Sequence, residues 1–153
     1  MDLINYDFES AMEQGFKTLF NTAGIDLHIA DDVDDDLPDE NVRLDLSVGS
    51  VISDEHLKDS TIYDNYGGAL EIEIQTPRVA DDQIPVAAGF TSRHTELVAT
   101  ARKAIEEIDV AVLATNWPGA LSPTKIKPTG TERDTDAEHR VTKLSYDLQF
   151  RIS

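Results

Sequence analysis

Ten residues near the C-terminus constrain this 153-residue chain more than any other feature. Leu144, Tyr146, Leu148, Phe150 and Ile152 alternate without exception with Lys143, Ser145, Asp147, Gln149 and Arg151. A period of two sends successive side chains to opposite faces of an extended backbone. The pattern therefore predicts a strand with one buried face and one wet face, as in an antiparallel sheet covered on a single side. Whatever else the chain does, it must supply a cover for that apolar face.

Two segments have the periodicity to supply it. Phe8, Met12, Phe16, Leu19 and Phe20 recur at helical spacing, with Asn5 or Asp7 as a possible cap and Gly24 as a stop, so a helix is expected over Tyr6–Thr22. Leu97, Ala101, Ile105, Ile108 and Val112 step by four, four, three and four behind Thr91 or Ser92. That spacing fits one long helix or two segments broken near Asp109, with a buried strand at Val110–Ala114 as the weaker alternative.

Further strands are expected at Ile25–Ile29, at Val42–Val48 and at Leu70–Gln75, each alternating apolar with polar residues, the last stopped by Pro77. Thr124–Lys127, between Pro123 and Pro128, reads as a short strand. Long polar loops are expected near 31–41, 53–68, 78–91 and 129–139; the second contains Gly67-Gly68. The resulting order predicts a single α+β domain over 1–153, a two-layer sandwich with a largely antiparallel sheet covered on one face by an N-terminal and a central helix.

Charge narrows the function classes. Residues 1–82 carry 21 acids and four bases, whereas residues 83–153 carry nine of each, so the whole net charge of −17 belongs to the first half. Asp31–Glu40 alone holds seven acids and no base. With no basic cluster evident in the sequence to displace counterions, stable binding to nucleic acid or an anionic membrane is not expected, though DNA could pass an acidic wall without sticking. The longest purely apolar run, Val110–Ala114, is far short of a membrane span, and Met1–Asn5 lacks the features of a signal peptide. The lack of cysteine excludes disulfides, thiolate metal sites and thiol nucleophiles.

The remaining polar clusters fit no catalytic or metal-binding motif. An EF-hand template begun at Asp32 places Asp34 and Asp36 correctly, but Leu37 replaces the turning glycine and Arg43 the bidentate glutamate. A solvated acidic loop is the better reading. His28, His56, His94 and His139 have no metal-binding spacing. His28 reads as an exposed strand residue, and His56 and His139 fall in polar loops. His94, at the start of the central helix, suits a capping or packing role. Glu71 and Glu73 share a strand face and read as its wet side rather than a catalytic pair. No catalytic, cofactor or metal residue is assigned. Asp34, Asp35 and Asp36 are interface or lumen candidates. Phe90 and Trp117 stand beside glycine or proline and are either caps at the core's edge or contacts for a partner.

In element order the chain resembles the tail terminator (tail completion, or minor tail) proteins of long-tailed bacteriophages. The likeness is carried by Thr91-Ser92-Arg93-His94-Thr95-Glu96-Leu97-Val98, which resembles the segment opening that family's central helix. Pro128-Thr129-Gly130-Thr131 through Leu144–Ile152 resembles its final hairpin. The resemblance implies a non-enzymatic virion protein, made in the host bacterial cytoplasm, that uses no cofactor. It also implies a ring, usually hexameric, that caps the tail tube, meets the head-completion or neck proteins and lets DNA pass without specific binding. A head–tail connector or tail-tube relative fits equally well. The competing readings are a small metal-dependent enzyme built on the acidic loop, with His56 or His94 as base, and a monomeric acidic inhibitor that mimics nucleic acid.

Overall fold

The computed structural model describes residues 8–29, 37–51, 64–78, 89–113, 121–134 and 136–152. Helix α1 spans Phe8–Thr22 and presents Met12, Phe16, Leu19 and Phe20 to the core, as their spacing predicts. Gly24, at φ +83°, ends it. Gly24 N donates to Asn21 O at 3.0 Å and Ile25 N to Phe20 O at 2.9 Å, the paired bonds of a Schellman stop. A left-handed residue is needed there, which is why glycine occupies it.

Strand β1 (Leu27–Ile29) pairs in parallel with β2 (Asn41–Val51). The other pairings, of β2 with β3 (Asp64–Pro77), β3 with β5 (His139–Ile152), and β5 with β4 (Leu121–Arg133), are antiparallel. The sheet order is β1-β2-β3-β5-β4, so the C-terminal strand is inserted between two others rather than added at an edge.

Between β3 and β4 run α2 (Arg93–Glu106) and a short α3 (Val110–Leu113). Ser92 caps α2 in a reciprocal box: its Oγ accepts from Thr95 N at 3.2 Å, and its own N–H donates to Thr95 Oγ1 at 3.1 Å. Asp109 then starts α3, its carboxylate accepting from Ala111 N at 3.1 Å. The break near Asp109 is thus observed, and the strand alternative at Val110–Ala114 is overturned: over 110–113 the chain is helical. The aspartate offers its side chain to orphan amides, which starts a new turn rather than an extended run.

The described helices all lie on one face of the sheet. α1 packs on β1, β2 and α3, and α2 on β3 and β5. The even-numbered residues of β2, β3 and β5 form the core there with the helix stripes: Leu44, Leu46, Ile72, Ile74, Leu144, Tyr146, Leu148 and Phe150 are all buried. This is the α+β two-layer arrangement that the alternation predicts, with the mixed pairing at β1 as its one parallel element.

Two loop expectations need correction. Gly67-Gly68 does not lie in a loop: β3 begins at Asp64, and both glycines are paired on each side, with Gly49 and Val48 of β2 and with Gln149 and Leu148 of β5. Ladder bonds to two neighbours outweigh the weak intrinsic preference of glycine against strand. Likewise, the short strand at Thr124–Lys127 and the loop from Thr129 are one strand to Arg133, its register shifting between Pro123 and Lys125 and between Pro128 and Gly130. β4 stands at an edge of the described sheet and its register shifts beside both prolines, the two settings in which a strand tolerates a residue without an amide hydrogen. His139 accordingly opens β5 rather than standing in a loop.

Candidate functional site

Among the described residues, no helix packs on the sheet's second face. Its residues run in cross-strand rows set by the register: Arg43 faces Glu73, Glu73 faces Lys143, and Lys143 faces Glu132. Opposite charges alternate along that row, and Arg43 and Glu73 form an ion pair. The next row places Asp45 against Glu71, Glu71 against Ser145 and Ser145 against Gly130. Its two acids sit side by side with no base in the row, an arrangement that disfavours the isolated face and favours a cation laid across it. Around Glu71 the small residues Ser47, Ala69 and Ser145 leave a shallow depression of about 200 Å³. Glu71 and Glu73 are half-buried on this polar face, as the strand alternation predicts.

On the covered side, α2 leaves β4 bare, and a cleft of about 330 Å³ opens between them above the start of β5. Three arginines from three elements line it: Arg102 from α2, Arg133 from β4 and Arg140 from β5. Arg102 spans the gap, donating to Thr131 Oγ1 of β4 at 3.2 Å. Arg140 donates to the Ser92 hydroxyl at 3.4 Å, which ties it to the helix cap. At the base lie His94 and Thr142, both buried. His94 Nδ1 is 2.8 Å from Thr76 Oγ1, and its Nε2 is 2.8 Å from Thr142 Oγ1. The neutral ring has one donor and one acceptor nitrogen, so the two hydroxyls take complementary roles. His94 therefore joins α2 to β3 and β5, which is packing, one of the two roles, capping or packing, that its position suggests.

At the same end of the sheet, Arg93 holds Glu40 (Nε to Oε1, 2.9 Å) and Glu96 (Nη1 to Oε1, 3.3 Å). The hydrogen bond to Glu40 pushes the guanidinium pKa above its ordinary value, against the opposing effect of partial burial. Asp136 shapes the β4–β5 turn by accepting from Glu138 N at 2.8 Å and His139 N at 2.7 Å. Those two amides hold its carboxyl below the usual carboxylate range. Burial pushes the Tyr146 phenol upward; Glu106 adds to the rise and Arg102 opposes it.

Of the interface candidates in the sequence, Phe90 is exposed, 37% accessible, directly after Gly89 at φ +98°. Asp34, Asp35, Asp36 and Trp117 lie outside the described residues. His28 is half-buried, with Nε2 3.5 Å from Asp26, and no three His, Asp or Glu side chains converge among the described residues. The arginine cleft was not visible in the sequence pattern. Its one trace there is the even charge balance of residues 83–153 inside a chain of −17. Neither a protein-family model nor a curated protein matches this chain.

Proposed function

We propose that this chain is a non-enzymatic structural protein of a long-tailed phage virion, a tail terminator. In this reading, its copies form a ring that caps the tail tube and joins it to the neck. The observation that carries the reading beyond the resemblance is the polar second face of the sheet, on which no helix packs among the described residues. Among the described residues, five strands with one polar face on which no helix packs, small residues at its centre and β4 at one edge offer a rigid, extended surface for other subunits. Adjacent Asp45 and Glu71 on that face favour a partner that brings a cation to them. Phe90, exposed beside a left-handed glycine, is a suitable anchor at a subunit boundary. The concentrated acid of residues 1–82 suits a lumen through which DNA slides, since it repels phosphates rather than holding them.

The test is light scattering on the purified chain, alone and with tail-tube subunits, followed by negative-stain microscopy. The expected particle is a ring with a central channel and a mass six times the 16.9 kDa of one chain. A chain that stays monomeric at tens of micromolar, and does not collect on tube ends, overturns the reading.

A further inference from the structure

We infer that copies of this chain meet by setting the Asp45–Glu71 depression of one copy against the lysine edge of another, at Lys125 on β4. This names the partner of the polar sheet face, and it rests on the reading of that face as a subunit surface. The charges of the face follow from the strand register. One row balances, with Arg43 and Lys143 against Glu73 and Glu132. Two residues further along the strands, Asp45, Glu71, Ser145 and Gly130 hold two acids and no base. The row after that balances again, with Asp147 opposite Lys127 beside Ser47 and Ala69. Next come Gly49, Gly67, Gln149 and Lys125, with one base and no acid. One face thus carries an acid surplus on β2 and β3 and a base surplus on the β4 edge.

The two surpluses do not answer each other within one copy. Glu71 and Lys125 stand two strands and four residues apart. With strands about 4.8 Å apart and a rise of about 3.3 Å per residue, their backbones are separated by roughly 16 Å. Asp45 lies one strand further away. Among the described residues, none of Asp45, Glu71 and Lys125 forms an ion pair.

A second copy supplies both missing partners at once. The acid and base patches are separate parts of one surface, so each copy offers one of each, and the contact runs head to tail, the kind that closes into a ring. The depression also suits a lysine. Ser47, Ala69 and Ser145 are short, and the shallow space of about 200 Å³ beside them is open to an ammonium on a flexible stem. Asp45 and Glu71 are like-charged cross-strand neighbours, so a cation laid between them also relieves their repulsion. Strand addition at β4 is the disfavoured alternative. Pro123 and Pro128 lack amide hydrogens, and lysines on an edge strand deter main-chain pairing. The contact is therefore made by side chains.

The experiment is sedimentation velocity of the full chain and of Asp45→Lys and Lys125→Glu at tens of micromolar. Both positions are exposed, so the fold is retained, which thermal melts by circular dichroism check. Should either reversal lower the melting temperature, Asp45→Asn and Lys125→Gln take their place and are expected to weaken association several-fold. Each reversal alone is expected to weaken association by about ten-fold or more, because like charges then face each other. Equimolar mixing of the two reversals is expected to restore assembly: the unchanged acid patch of one meets the unchanged lysine edge of the other, and at the next contact the two reversed charges meet. Lys17→Glu makes the same charge change on the exposed side of α1 and should leave association unchanged. Parent-like association of both reversals, or no restoration on mixing, overturns the inference and leaves the ring standing. An equal loss in Lys17→Glu would show general repulsion between acidic chains and also overturn it. Loss of tube-subunit binding in Asp45→Lys, with self-association intact, gives the depression to the tube protein and overturns it as well. Restoration of dimers alone keeps this contact and overturns the ring.

Discussion

Replacing Gly15 by alanine separates helix propensity from packing in this fold. In an isolated helix the change would be favourable by about 1 kcal/mol, because glycine loses more backbone freedom on folding. Gly15, however, is buried on α1 where α3 crosses it. A Cβ built there would overlap the Leu113 carbonyl oxygen and lie 3.0 Å from Leu113 Cδ1 and 3.2 Å from Leu113 C. The obstruction is backbone, so no rotamer change relieves it; α3 or α1 must move. Overpacking of this kind costs about 1–3 kcal/mol, with the upper half of that range expected when main chain is struck. After subtracting the propensity gain, a net loss of about 1–2 kcal/mol remains. At about 2–4 °C per kcal/mol for a chain of this length, the melting temperature should fall by about 2–8 °C. Scanning calorimetry at pH 7 measures it, with Lys17→Ala on the exposed side of α1 as the control, expected to shift stability by less than about 0.5 kcal/mol. A Gly15→Ala melting temperature equal to or above the parent's would mean that α3 does not seat on α1 as described.

Three further outcomes are expected. Truncation after Thr142 removes Leu144, Tyr146, Leu148 and Phe150 from between β3 and β4; at about 1.5–3 kcal/mol for each large apolar side chain, that loss matches the ~5–15 kcal/mol stability of a whole domain. The truncated chain should show no cooperative melt by circular dichroism. Ser92→Ala takes the acceptor from the α2 capping box and should cost about 1 kcal/mol in urea unfolding, whereas Ser92→Gly should cost only a few tenths. Asp136, whose carboxyl is lowered by the Glu138 and His139 amides, contributes stability that is present above the unfolded carboxylate pKa and is lost as pH falls through the folded value. The sign is checked by NMR titration of Asp136 together with acid melts of Asp136→Asn, whose stability should decline less between pH 5 and pH 2 than the parent's.

Features set by neighbours a few residues apart were legible without tertiary information. The two-residue period of Lys143–Ile152, the helical stripe from Met12 to Phe20, the start of the central helix at Thr91 or Ser92 and the Gly24 stop all follow from side-chain direction and local hydrogen bonding. Because each element had a single apolar face, the two-layer architecture followed as well. The placement of His94 at the start of the central helix pointed to capping or packing, and its ring is buried between Thr76 and Thr142.

What lay beyond reach depends on which distant residues face one another. Alternation marks a strand but does not choose its neighbours, so the parallel β1–β2 pair and the insertion of β5 between β3 and β4 emerged only with the assembled sheet. Gly67-Gly68 reads locally as a break, yet backbone bonds from two sides hold it extended; Pro123 and Pro128 read as stops, yet an edge position tolerates them. The arginine cleft has the same origin. Arg102, Arg133 and Arg140 are 31 and seven residues apart in sequence, with no shared motif or period. They line one cleft because the register sets Arg133 against Thr142 and α2 lays Arg102 beside Thr131, long-range pairings that no short window of sequence encodes.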